Sequence, residues 1–318
     1  MLAVAGGVLG SPTLANSDSQ ERHLCEGYLP ANDLVIPARP DFVFFDAGGT
    51  VATGITETEF NEVLDKIEKV YAPIIAKAGG NLKVERMWEN GTVNAFATVD
   101  GDDWIVRFPG GIPRLAGMNK DAFMGVACHE VGHHLGGAPL VFGTLTNEGG
   151  ADYFSALKCL RLIYADEDNE AALDATHVDS VAKEKCAAQH SVVADQLVCQ
   201  RTSQVAMTLG KVLSGFEKAV EPRFDTPDAT VVTVVRDRHP AAQCRVDTLF
   251  AGSICQVASD IPMSRLDHRE GSCVEGTHAL GLRPKCWFKS PEVPLPVSIP
   301  NANRPAIPAV TPVAQPAA

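Results

Sequence analysis

The stretch "GVACHEVGHHLGG", residues 125–137, packs three histidines and a glutamate into six consecutive positions. Phe123, Ala127, Val131 and Leu135 recur every fourth residue from Asn119 until Gly136-Gly137, a spacing that predicts a helix ending at the glycines. On such a helix His129 and His133 lie on one face about one turn apart, so both imidazoles can reach one zinc ion. Glu130, the acid of the H-E-x-x-H pattern, points to the side, where it can take a proton from water acidified by the metal. His134 lies roughly 100° around the helix from His133 and is read as a surface neighbour rather than a ligand. Cys128 is read as a small buried residue behind the site.

The third ligand decides the class. A metzincin needs a histidine six residues after His133, and Pro139 stands there. A gluzincin takes a glutamate from a second helix, and Glu148 follows His133 by 15 residues in "NEGGAD". Asp152 comes one helical turn later on the same face, placed to hydrogen-bond the far nitrogen of a ligand histidine. The expected centre is one Zn2+ per chain held by His129, His133 and Glu148, with a fourth position left for water.

The surrounding pattern is mixed. "TETEFNEVLDKIEKVYAPIIAKAGG" opens with Thr56 and Glu59, a capping box, and closes on Gly79-Gly80, which predicts a helix kinked near Pro73. The alternating segment from Asn81 to Gly111 holds Asn90-Gly91 and Asp100-Gly101, both hairpin signals, and predicts a three-stranded antiparallel meander. A loop of about ten residues then separates the histidine helix from a second helix capped by Thr146. The chain to about residue 257 reads as mainly helical, broken near "EPRFDTPDATVVTVVRDRHP", with one helix over 241–257.

Composition narrows the possibilities. With 318 residues, 45% of them hydrophobic, the chain can bury a core. A net charge of −12 with scattered basic residues argues against nucleic acid as a partner. No run approaches the ~18–20 apolar residues of a membrane span. "MLAVAGGVLGSPTLANS" ends an apolar run at Thr13-Leu14-Ala15, the small-x-small character of a signal-peptidase site, without a basic leader. Residues 1–15 are therefore read as a truncated signal peptide, with a plain apolar terminus as the alternative, and the chain as periplasmic or secreted. The nine cysteines form no CxxC pair, which leaves a disulfide framework with one cysteine over, or buried thiols. On one helix Cys244 and Cys255 would lie about 16 Å apart and could not bond to each other. Residues 16–290 form one expected domain, and the proline-rich, almost uncharged 291–318 an extended or disordered tail.

Four segments in order resemble the gluzincin zinc metallopeptidases of the type I CAAX prenyl protease and HtpX kind: "VNAFATVDGDDWIV", "MGVACHEVGHHLGG", "NEGGADYF" and "DRHPAAQCRVDTL". The likeness spans about residues 90–250. It implies a strand at Asn94, Ala95 and Phe96 whose main chain pairs with an extended peptide substrate. It also implies that His239 lies near the zinc, stabilising the developing oxyanion or gating the site, with Arg245 bracing it. Departures are the missing membrane helices, a short interval from His133 to Glu148, and "CVEGTHALGLRPKC", which has no counterpart; prenylated substrates are not carried over. The expected fold is α+β and gluzincin-like: a mainly helical body, with the HExxH and ExxxD helices beside a small antiparallel β-meander. The expected activity is zinc-dependent endopeptidase cleavage of a protein or peptide. A zinc peptidase or amidase of cell-wall cross-links, and a non-catalytic binding protein on the same fold, are the alternatives.

Overall fold

The structure, a computed structural model, describes residues 27–38, 44–45, 51–52, 54–141, 143–174 and 178–291. The expected signal segment, Cys25 and the tail after residue 291 lie outside these residues.

The architecture is α+β. A short antiparallel pair, β1 (Phe44–Phe45) and β2 (Val51–Ala52), precedes helix α1 (Glu57–Lys77). Thr56 and Glu59 make the capping box at its start, each side chain accepting the other's backbone N–H. The helix runs on through Pro73 as one element. Pro73 and Lys69 are both exposed, so the Lys69 carbonyl deprived of its partner can meet water.

Strands β3 (Asn81–Met87), β4 (Phe96–Asp100) and β5 (Asp103–Pro109) follow, and here the expected meander is corrected. The order is β3-β5-β4, with β5 parallel to β3 and antiparallel to β4. Asp100-Gly101 makes the predicted hairpin, with Gly101 at φ +59. Asn90-Gly91 does not. Asn90 Oδ1 accepts from Thr92 N, and the Gly91 carbonyl accepts from Ile36 N, so this turn serves the incoming N-terminal segment. Arg114 also donates to the carbonyls of Trp88 and Asn90. The connection is thereby carried across the end of β5, and β4 arrives on its far side.

Helix α2 (Lys120–Leu135) is capped by the Asn119 side chain, and Gly137 leaves it with φ +71. Every residue from Ala122 to His134 is buried, which explains why apolar and small residues surround it on all sides. It packs on α1, β4 and β5. The loop after it holds a small hairpin, β6 (Leu140–Val141) with β7 (Leu145–Thr146), and then α3 (Glu148–Phe154) begins. The α3 cap is Asn147, whose side chain accepts from Gly150 N; Thr146 instead donates its hydroxyl to the Gly137 carbonyl. The helix widens into a π turn over Ser155–Leu160 and continues as α4 (Arg161–Tyr164).

Helices α5 (Asn169–Asp174), α6 (Ser180–Gln189), α7 (Val193–Glu217) and α8 (Ala242–Ile254) complete the body, with α7 on α8 and α2. Four disulfides brace it: Cys128–Cys159, Cys186–Cys199, Cys244–Cys286 and Cys255–Cys273. Cys244 and Cys255 thus take separate partners. Cys128 is buried as expected, but as a crosslink from α2 to the π turn. No helix among the described residues is long and apolar enough to cross a membrane.

Candidate metal centre

Helices α2 and α3 meet closely because Gly132 has no side chain: a Cβ there would lie 2.8 Å from the Ala151 carbonyl. That approach sets His129 and His133 of α2 against Glu148, the first residue of α3. Their ligand atoms fall within 4.8 Å of one another. His129 Nε2 stands 3.3 Å from Glu148 Oε2, and His133 Nε2 3.8 Å from Glu148 Oε1. Tetrahedral bonds of about 2.0–2.1 Å set ligand atoms roughly 3.3 Å apart, so this donor set could hold a metal ion.

The rings are fixed from behind. His133 Nδ1 lies 2.8 Å from the Thr146 carbonyl, which can only accept; Nδ1 therefore carries the proton and Nε2 presents its lone pair. Burial pulls the His133 pKa down to about 4, keeping the ring neutral. His129 Nδ1 donates to Asp152 Oδ1 at 2.7 Å. Burial pulls this ring down too, but the Asp152 and Glu148 carboxylates outweigh it and raise the pKa to about 9. Glu148 is held at about 2 by the flanking histidines, against burial.

Asp152 is gripped by Arg245, which donates from Nε to Oδ2 at 2.7 Å and from Nη2 to Oδ1 at 2.8 Å. Burial opposes ionisation of Asp152, and the Arg245 charge overcomes it, holding the carboxyl well below the usual range. Arg245 also donates to the Tyr28 carbonyl. Its bonds thus hold Asp152 and the N-terminal segment, where the resemblance had it bracing His239.

His239 arrives on the segment before α8. Val232 N donates to the Lys285 carbonyl, Arg236 N to the Trp287 carbonyl, and Asn147 Nδ2 to the Arg236 carbonyl. With the Cys244–Cys286 disulfide these bonds bring His239 Nε2 to 3.3 Å from Glu148 Oε2.

Glu130 is fully buried, and neither carboxylate oxygen has a hydrogen-bond partner among the described residues. Burial raises its pKa to about 8. A buried carboxyl left unsatisfied beside three converging ligand atoms fits a donor set for a metal ion.

No family model, characterised protein or solved structure matches the chain. The site's chemistry therefore rests on its own geometry.

Two expected positions differ. His134 is buried, not on the surface: its ring stacks on Trp104 at 5.4 Å, and Nε2 lies 3.3 Å from the Ile105 carbonyl, docking α2 on β5. Phe96 opens the edge strand β4, but Asn94 and Ala95 lie before it and are buried. Both are engaged by residues 28–29: the Ala95 carbonyl accepts from Tyr28 N, and Asn94 bonds both backbone groups of Leu29. Tyr28 itself sits edge-on to His129 at 5.0 Å. Nothing in "CEGYLPANDLVIP" marks it, because the contact joins positions a hundred residues apart in sequence.

Proposed function

We propose that the chain is an exported zinc metallopeptidase that hydrolyses peptide bonds of a protein or peptide substrate. The observation that carries the reading is the convergence of His129, His133 and Glu148 beside the unpartnered Glu130 carboxylate. Two imidazoles and one carboxylate with a position left open are the donor set of hydrolytic zinc centres. A zinc ion bound there supplies a Lewis acid for the peptide carbonyl and acidifies the attacking water.

The chain's own groups do the rest. Glu130, whose carboxylate oxygens have no partner among the described residues, accepts the proton of the attacking water and passes it to the leaving amine nitrogen. His239, beside Glu148, donates a hydrogen bond to the carbonyl oxygen as negative charge develops there. Asp152 and the Thr146 carbonyl keep both ligand rings in the tautomer that presents Nε2. The backbone at Ala95 and Phe96 supplies the edge on which an extended peptide pairs. Export accords with the four disulfides, which persist in oxidising compartments.

The test is a peptide library incubated with the zinc-loaded chain and with Glu130→Gln. Cleavage should fall by about 10²–10⁴-fold in the variant while zinc stays bound. Undiminished cleavage by Glu130→Gln would remove the mechanism.

A further inference from the structure

Residues 27–36 lie where the proposed substrate should lie. Tyr28 N donates to the Ala95 carbonyl at 2.9 Å, and Asn94 holds Leu29 at both its N–H and its carbonyl. Further along, Val93 N donates to the Leu34 carbonyl and Ile36 N to the Gly91 carbonyl, with Val35 bridging Thr92 in antiparallel register. The segment thus runs antiparallel to residues 91–95, as a bound peptide would.

Its inner end reaches the metal site. His239 Nε2 donates to the Gly27 carbonyl at 2.6 Å, while Arg245 holds the Tyr28 carbonyl from below and lies 4.3 Å from the Tyr28 ring. The group assigned to a substrate's oxyanion is thereby occupied by a carbonyl of the chain itself. With Gly27, Tyr28 and Leu29 buried, His129, Glu130, His133 and Glu148 are 0–4% exposed, so a substrate cannot reach them. Gly27 is required for the fit: it adopts φ +95, and a Cβ there would meet the Asn94 amide at 2.6 Å. The residues from 30 to 35, in contrast, are exposed, with Leu34 and Val35 at 49% and 64%.

We propose that residues 27–36 are an inhibitory strap, a built-in pseudosubstrate that fills the peptide groove and seals the metal site until it is displaced. The proposal rests on the peptidase reading for what the groove binds, and on the geometry alone for the seal.

The experiment uses the full zinc-loaded chain. Two forms release the strap: one carries the recognition sequence of a specific protease inserted after Asn32 and is then cut, and the other is Gly27→Ala, which crowds Asn94 and replaces none of the metal-ligating side chains. Zinc removal by a chelator and cleavage of a peptide library are followed in each, with a thermal melt showing that the fold is kept. The strap predicts that zinc removal accelerates roughly tenfold or more in Gly27→Ala and further in the cut chain, because the closed form no longer predominates. Faster zinc removal together with new peptide cleavage supports both proposals. Faster removal without cleavage keeps the strap and removes the peptidase reading. Zinc removal unchanged in the folded Gly27→Ala variant, or an intact chain that cleaves peptides as fast as the cut one, overturns the strap. Should the cut chain unfold, Gly27→Ala alone decides.

Discussion

Arg245 and Asp152 form a two-pronged ion pair, 2.7 and 2.8 Å, with both side chains 1% exposed. The pair joins α8 to α3 and ends on His129, so one buried contact carries both stability and ligand orientation. Removing the cation leaves Asp152 as an uncompensated buried charge, and Arg245→Ala should cost about 3–5 kcal/mol in urea unfolding. Asp152→Asn should weaken metal binding about 10–100-fold, because the His129 ring loses the carboxylate that orients it. A metal affinity unchanged in Asp152→Asn would show that this contact has no part in ligand positioning.

Acid should destabilise the protein through His134. Burial lowers its pKa to about 3, whereas an unfolded histidine titrates near ~6.5. Between these values the unfolded chain binds the extra proton, so stability falls as the pH drops from ~6.5 towards ~3. From pH 7 to pH 5 this group alone should cost about 2 kcal/mol. His134→Phe keeps a ring on Trp104 and removes the titration, so its stability difference between these pH values should shrink by that amount in chemical denaturation. An equal difference in both proteins would assign the acid sensitivity elsewhere.

The Cys128–Cys159 disulfide adjoins His129 and closes a sequence separation of 31 residues. Its replacement by Cys128→Ala with Cys159→Ala should lower unfolding stability by about 2–4 kcal/mol. If α2 is held at its working distance from α3 by this bond, zinc removal by a chelator will also be faster in the double variant at a temperature where it remains folded.

What the sequence announced, and what it hid, divides by range. The capping box of α1, the Asp100-Gly101 hairpin and the H-E-x-x-H helix are set by neighbours a few residues apart, and the glutamate offset follows from one helix hairpin. Asn90-Gly91 misled because its turn is claimed by Ile36 and Arg114, far away in sequence, and the sheet order changes with it. His134 misled because angular position on a helix implies exposure only when that helix has an outer face, and α2 is buried all round. Cysteine pairing and the Tyr28 contact at His129 are likewise products of tertiary packing, with no local pattern to reveal them.

The central claim is that His129, His133 and Glu148 hold one metal ion. Zinc content after equilibrium dialysis, measured by elemental analysis on the native chain and on folded Glu148→Ala, tests it most directly. The account predicts about one equivalent in the native chain and loss of tight binding in the variant, because two imidazoles alone leave the ion short of its usual three protein ligands. A full equivalent still tightly bound by Glu148→Ala would contradict it.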